Sequence, residues 1–297
     1  MENKFLKLMR DKTTLVADGA MGTNLFKQGL QTGDAPELWN VDFPEKIKNV
    51  YNDFINAGSD IILTNSFGGT KFRLKLHNAQ DRVIELNQAS ASLAREIADN
   101  SSRDIAVAGS MGPSGELLAP LGALTQDEAI EAFAQQAQGL KQGGADVLWV
   151  ETMSSIEEAC CAIKGAETTG LPVVCTMTFD TAGKTMMGIT PAQASKSLPS
   201  LETPIYAIGA NCGVGPTDTM LSILEMRQHN PDVAIISKAN CGIPKYQNGE
   251  FIFTGTPELM GQYAKIAVDV GVKIIGGCCG SSPEVIKAIA EAVKDYK

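Results

Sequence analysis

Histidine is scarce in this chain: His77 and His229 are the whole supply in 297 residues. Both fall in polar stretches away from the ends of apolar runs and read as surface residues. That leaves no material for a histidine triad or a histidine-rich metal site. Long apolar runs are missing too. None approaches the roughly 18–20 residues of a membrane span. Positive charge is short, with 25 Lys and Arg against 34 Asp and Glu and a net charge of -9. Neutralising nucleic-acid phosphates takes a basic face, and holding a membrane surface takes a polybasic stretch; the chain has neither. Met1 to Asp18 mixes charges with apolar residues and lacks the apolar core of a signal peptide, so the expected location is the cytoplasm. The seven cysteines, an odd count with two adjacent pairs, make a poor disulfide framework. They read instead as metal ligands or buried apolar groups.

What is present is an ordinary globular composition, 44% hydrophobic and 20% charged, in a chain long enough to bury a large core. Short β-rich apolar runs alternate with helical patterns. The strand candidates are Thr14–Ala17, Asp60–Thr64, Ile105–Ala108, Asp146–Glu151, Val173–Thr178, Ile205–Gly209, Ala234–Lys238 and Val272–Ile275. Helical patterns cover Pro44–Ala57, Asp81–Asp99, Thr125–Gln142, Ile156–Thr169, Pro191–Ser197, Pro216–Gln228, Pro257–Val270 and Pro283–Asp295. Thr125 to Glu128 spells a capping box, Pro216, Pro257 and Pro283 suit first helical positions, and Gly143, Gly144, Gly170 and Gly271 supply stops. Runs such as Val147–Val150 are apolar on both faces, as parallel strands under helices are. Eight βα units without a composition break predict one (β/α)8 barrel domain over residues 1–297. An open doubly wound sheet would need a G-x-G-x-x-G loop after the first strand, where this chain has Asp18-Gly-Ala-Met-Gly22.

Barrel active sites lie at the C-terminal strand ends, and the chemistry-bearing residues fall there. Cys278 and Cys279 follow the last strand between glycines, and Cys212 follows the sixth in a matching Asn-Cys-Gly setting. Three thiolates at one spot describe a zinc site with an open fourth position. Since neighbouring side chains of a regular strand point to opposite faces, the glycines must break the strand to turn both sulfurs inward. Cys160-Cys161, inside a helical pattern, and Cys175, mid-strand, read as packing residues. Cys241 echoes Cys212 and is a weaker candidate for the site. Asp18 and Glu151 end the first and fourth strands, where they can receive a substrate ammonium, while backbone N–H groups from Gly19 to Gly22 can hold its carboxylate. Together these would recognise an amino acid. Asn65, Ser110 and Asn211 fall at strand ends beside them and join the substrate-binding set.

The Asp18–Thr23 turn, Thr64-Asn-Ser-Phe67, Val150-Glu-Thr152, Asn211-Cys212 and Gly276-Gly-Cys-Cys-Gly280 together resemble the zinc-dependent homocysteine S-methyltransferases over essentially the whole chain. Ala35-Pro-Glu-Leu-Trp-Asn40, Leu74-Lys-Leu-His-Asn78 and Phe179-Asp-Thr-Ala-Gly-Lys-Thr-Met-Met-Gly188 resemble its short bacterial members, described as betaine–homocysteine methyltransferases. The resemblance implies that Cys212, Cys278 and Cys279 hold Zn2+, with homocysteine sulfur in the open position as a thiolate. It places Asp18 and Glu151 near the homocysteine amino group and the Gly19–Ala20 backbone near its carboxylate. The implied product is methionine, formed with betaine as the first-choice methyl donor; S-methylmethionine and dimethylsulfoniopropionate are alternatives. An onium donor calls for aromatic faces, for which Trp39, Phe67, Phe179 and Tyr246 are candidates. The chain departs from the animal betaine enzymes at Gly68 and Thr152, where those carry tyrosines. A third reading is a homocysteine-activating module working with a separate corrinoid protein. Self-association into a homo-oligomer stays open.

Overall fold

The computed structural model describes residues 2–247 and 250–295, with no side-chain description at 246, 247, 250, 251 and 295. Eight parallel strands form the barrel: β1 Leu15–Val16, β2 Ile61–Leu63, β3 Ala106–Met111, β4 Val147–Met153, β5 Val173–Met177, β6 Ala207–Cys212, β7 Ile235–Ala239 and β10 Ile274–Gly277. A short antiparallel hairpin, β8 Lys245–Gln247 and β9 Glu250–Ile252, follows β7. The ladder runs β1-β10-β7-β6-β5-β4-β3-β2, and a bridge between Ala17 and Ile61 closes the ring. The sequence-derived (β/α)8 barrel is therefore the observed fold.

The strands are buried on both faces, and their alternation sorts residues into two cores. Leu15, Ala17, Ile61, Leu63, Ala106, Ala108, Val147, Trp149, Val174, Ala207, Ile236 and Ile274 form the inner cluster. Four alanines there leave room for the indole of Trp149, which keeps a packed interior at normal density. The opposite strand faces join the helices in the larger outer cluster. The surrounding helices include α4 Pro44–Ala57, α6 Val83–Asp99, α7 Gln126–Gln142, α8 Ile156–Glu167, α9 Pro191–Ser197, α10 Pro216–His229, α11 Pro257–Asp269 and α12 Pro283–Asp295. The expected capping box at Thr125 and Glu128 is formed, and Thr190 with Gln193 makes a second one.

Several elements were not legible in advance. Helix α1, Lys4–Asp11, sends Phe5 and Leu8 into the inner cluster and so plugs the end of the barrel away from the site. Helix α2, Met21–Lys27, starts within the expected first turn, and α3 Trp39–Asp42 and α5 Lys71–Lys75 are further short helices. Strands β3, β6 and β10 run further than their apolar stretches. Pairing of Ala210 with Ser237, Asn211 with Lys238 and Cys212 with Ala239 carries β6 to the cysteine. Ladder hydrogen bonds sustain these polar strand ends where local β-propensity would stop them. Among the described residues, no helix is long and apolar enough to cross a membrane.

Candidate active site

The last barrel strand ends at Gly277, and the two cysteines sit in the turn beyond it. A Cβ on Gly277 would lie 2.1 Å from Ser281 Oγ, and Gly280 adopts φ 82° against the Phe253 ring. Only glycine fits either position, so the strand breaks as expected. The turn is tied down from β7: Cys278 N–H donates to the Ala239 carbonyl at 2.8 Å and Cys279 N–H to Asn240 Oδ1 at 2.9 Å. Cys212 takes a left-handed φ of 59° at the end of β6, with Gly213 at 70° after it. Such a conformation costs a non-glycine residue about 1–3 kcal/mol and clusters at functional sites.

The result is one thiol cluster. Cys212 Sγ lies 3.0 Å from Cys278 Sγ and 3.9 Å from Cys279 Sγ, and all three sulfurs fall within 4.8 Å of one another. Hydrogen bonds from Cys212 and Cys278 pull the Cys279 thiol down to about 4. Cys212 is pushed well up by the contacts with Cys278 and Cys279 and by burial. For Cys278 the Cys212 contact acts downward, but the Cys279 contact and burial outweigh it and push the thiol up to about 12. A cation bound among the three sulfurs would displace the protons they hold. Three soft sulfur donors with a free side suit zinc's tetrahedral preference. Cys241 does not join them. It is fully buried and pairs with Ser281 Oγ at 3.4 Å. All seven cysteines are free thiols.

A cavity of about 380 Å³ opens over the cluster. It is lined by ten of the sequence-derived candidates: Asp18, Gly19, Ala20, Asn65, Phe67, Ser110, Glu151, Cys212, Cys278 and Cys279. A register shift between Val150 and Met153, with Thr152 at φ 61°, turns the tip of β4 so that Glu151 and Thr152 both face it. Bulges beside sites commonly re-aim side chains in this way. Glu151 accepts from the Ser110 hydroxyl and, at 3.4 Å, from the Asn211 amide. Burial pushes its carboxyl up to about 7 against the pull of Lys238. Asn211 itself does not line the cavity. It clasps Thr152 through both amide atoms, accepts from Thr176 Oγ1 at 2.7 Å and lies 3.8 Å from Cys278 Sγ.

Two aromatic candidates fall elsewhere. Trp39 is buried under Lys46, whose Nζ sits 4.4 Å above its ring, and is edge-on to Phe43. Phe179 is packed in the outer core. Neither is among the cavity-lining residues. In both cases the aromatic area is taken up by neighbouring helices and loops, a demand no local motif reveals. The Tyr246 side chain lies outside the described residues. Phe67 does line the cavity, its ring against Gly112, and Phe26 from α2 joins it. The Ala20 N–H is directed to the Ser281 carbonyl at 3.2 Å.

Sequence reasoning missed four polar groups. Lys238 on β7 is fully buried, with Nζ 2.7 Å from Asp18 Oδ1; it closes an apolar run and carried no motif. Burial pushes Asp18 up, opposed by Lys238 and the Leu63 N–H. Burial acts to lower Lys238, but Asp18 and Glu151 outweigh it and hold the ammonium above its ordinary value. Glu37 is buried and accepts from Gly68 N–H at 2.7 Å. Arg73 and His77 line the mouth, so His77 is not remote from the site as its polar surroundings had implied. The helical turn at α5 brings both over the cavity. The motifs around Glu37 and His77 were visible in the sequence, but their convergence was not.

A closed βα barrel with a thiol cluster and buried carboxylates at its C-terminal mouth belongs to the class of barrel proteins that do chemistry at that face. The chain is a member of the homocysteine S-methyltransferase family, whose model matches residues 15–293. It is similar to methionine synthase of Mycobacterium tuberculosis (strain ATCC 25618 / H37Rv), 29% identical over 300 residues, which cover 95% of this chain and 25% of that protein. It is also similar to methionine synthase of Mycobacterium leprae (strain TN), 28% identical over 296 residues, 94% of this chain and 24% of that protein. The chain thus spans about a quarter of the length of these curated relatives. Its fold is that of the metallated homocysteine methyltransferase MmuM from Escherichia coli, with a TM-score of 0.79 at 23% identity over 97% of this chain and 99% of that one.

Proposed function

We propose that this chain catalyses methyl transfer from a small methyl-onium donor to homocysteine, giving methionine, with zinc held by Cys212, Cys278 and Cys279. The observation that carries the reading is the convergence of those three sulfurs within 4.8 Å beside two buried carboxylates in one cavity. Zinc bound there would keep the acceptor sulfur as a thiolate at neutral pH. The rest is positioning by the chain's own groups. Carboxylates at the tips of β1 and β4 provide negative charge for an amino-acid ammonium, and the Gly19–Ala20 backbone lies on the same wall. In the transfer the donor's carbon–heteroatom bond breaks as the sulfur–carbon bond forms. The onium leaves neutral, and the thiolate becomes a thioether.

Betaine is the first candidate donor, with S-methylmethionine and dimethylsulfoniopropionate next. Phe26 and Phe67 offer the aromatic faces for the donor cation, and the buried Glu37 carboxyl lines the same cavity. A second reading, a module that passes activated homocysteine to a separate corrinoid protein, draws on the chain's match to only a quarter of each methionine synthase. One assay separates them. Zinc-loaded protein, homocysteine and each onium donor are mixed without corrinoid, and methionine is measured. Methionine formation supports direct transfer. Its absence with every donor at full zinc occupancy refutes direct transfer and leaves the module reading.

A further inference from the structure

Lys238, Arg73 and His77 all line the cavity, but they are not equally engaged. Lys238 is buried and paired with Asp18. No carboxylate or carbonyl among the described residues lies within ion-pair or hydrogen-bond distance of the Arg73 guanidinium. Burial pushes the Glu37 carboxyl up, with Arg73 and His77 acting against it, yet its Oε1 is turned to the Gly68 N–H at 2.7 Å and pairs with neither. The local fold fixes both groups. Thr70 caps α5 by accepting from the Arg73 N–H at 3.4 Å, and Leu74 is buried in a small cluster with Ala79, Val83 and Leu86. The His77 N–H donates to the Leu74 carbonyl at 3.0 Å, so the turn continues past α5 and residues four positions apart share a face. Arg73 also lies along the same stretch of wall as Phe67. A Cβ on Gly112 would meet the Phe67 ring at 2.5 Å, and one on Gly115 would meet Arg73 Cδ at 3.1 Å and Nη1 at 3.3 Å. Three residues of chain reach at most about 10 Å. Ser114 between them is held to the buried Glu158 carboxylate through its N–H at 2.8 Å and its hydroxyl at 2.6 Å. An aromatic ring that is 38% exposed and an unpaired guanidinium therefore stand a small molecule's length apart on a fixed wall.

An onium centre is drawn to an aromatic face, and a carboxylate to the planar fork of a guanidinium. Resting on direct methyl transfer to homocysteine, we propose that the donor is an onium carboxylate whose carboxylate binds Arg73, with His77 donating a further hydrogen bond, while its onium centre lies against Phe67. Asp34 and Glu37 line the same cavity, so the attraction arises from contact with the guanidinium and not from a positive field. Ammonium and sulfonium carboxylates share this chemistry. A cation without a carboxylate leaves Arg73 unused.

The test is steady-state methionine formation by zinc-loaded protein at saturating homocysteine, with two matched pairs of donors. Dimethylsulfoniopropionate is set against trimethylsulfonium, and betaine against tetramethylammonium. A cation that is not turned over is read as a competitive inhibitor of the donor that is. Wild type favours the carboxylate member of each pair it uses. Arg73→Met lowers kcat/KM for that member about 10–100-fold, mainly through KM, the scale of a lost hydrogen bond to a charged group. It leaves zinc content, homocysteine's KM and the cation without a carboxylate within about threefold of wild type, so the preference disappears. Arg73→Lys keeps part of the preference, since it retains the charge but not the fork. Arg73→Gln carries the same test should the methionine variant not fold. Equal losses on both members of a pair, or no loss on either, overturn the assignment. Failure of wild type to form methionine from any of the four overturns direct transfer, the reading beneath it, so the two failures are told apart.

Discussion

The chain writes Cys-Cys twice, and the two copies have opposite fates. Cys160-Cys161 lies inside α8, where successive side chains are rotated about 100° apart and leave for different faces. Cys161 packs into the outer core and Cys160 is half-buried; burial pushes Cys161 up to about 11. Cys278-Cys279 lies past the end of a strand, between one glycine against Ser281 and another in the left-handed region. There both sulfurs turn to Cys212, and Cys279 is drawn down to about 4. Chemistry comes from the backbone that presents the dipeptide and from a third thiol on a different strand.

The strongest way to break this contrast is Cys212→Ala or Cys278→Ala. Either is expected to strip the metal and lower methionine formation by more than about 100-fold, beyond the 10–100-fold typical of losing an outer partner. Metal analysis with kinetics checks it, and full zinc content in both variants would refute the site. Asn211→Ala tests such an outer partner, since its amide holds Thr152 and Glu151 and touches Cys278. A loss of about 10–100-fold in zinc affinity is expected from competition with a chelator.

Glu151 sharpens the contrast through pH. In metal-free protein its carboxyl, raised by burial from 4.5 to about 7, keeps a proton that the unfolded chain releases. The folded state binds more protons between those values, so stability falls as pH rises through that window, by on the order of 3 kcal/mol. Denaturation of wild type and Glu151→Gln at pH 5 and 7.5 checks this; equal pH dependence in the two would count against it. Phe67→Leu removes an aromatic face at the cavity and is expected to raise the donor's KM about tenfold with homocysteine's KM unchanged. Phe179→Leu, in the core, is expected to leave donor KM alone. Smallest of all is Cys160→Ser/Cys161→Ala in α8, which should keep full zinc content and cost about 1–2 kcal/mol of stability.

Much of this was readable along the chain. The alternation of apolar runs and capped helices predicts the barrel because period and punctuation are local properties. Glycines around Cys278-Cys279, and their absence around Cys160-Cys161, separate a site from a packed pair for the same reason. Aromatic residues were the weak point. Trp39 and Phe179 look like Phe67 in sequence, but their rings are claimed by packing. Lys238 was invisible because a lysine closing an apolar run has no local signature; its partner is 220 positions away. His77 and Arg73 face the cavity only through the fold of the segment after β2.

By itself, then, the sequence determined the number of βα units, the end of the barrel at which chemistry sits, and the three thiols that meet there. Hydrophobic period, glycine placement and residue type act over a few neighbours and carry that much. Tertiary structure alone decided that Lys238 pairs with Asp18, which aromatics see the cavity and that His77 joins its lining. Those outcomes depend on groups brought within hydrogen-bonding reach by closure of the ring, and distance in space is not written in distance along the chain.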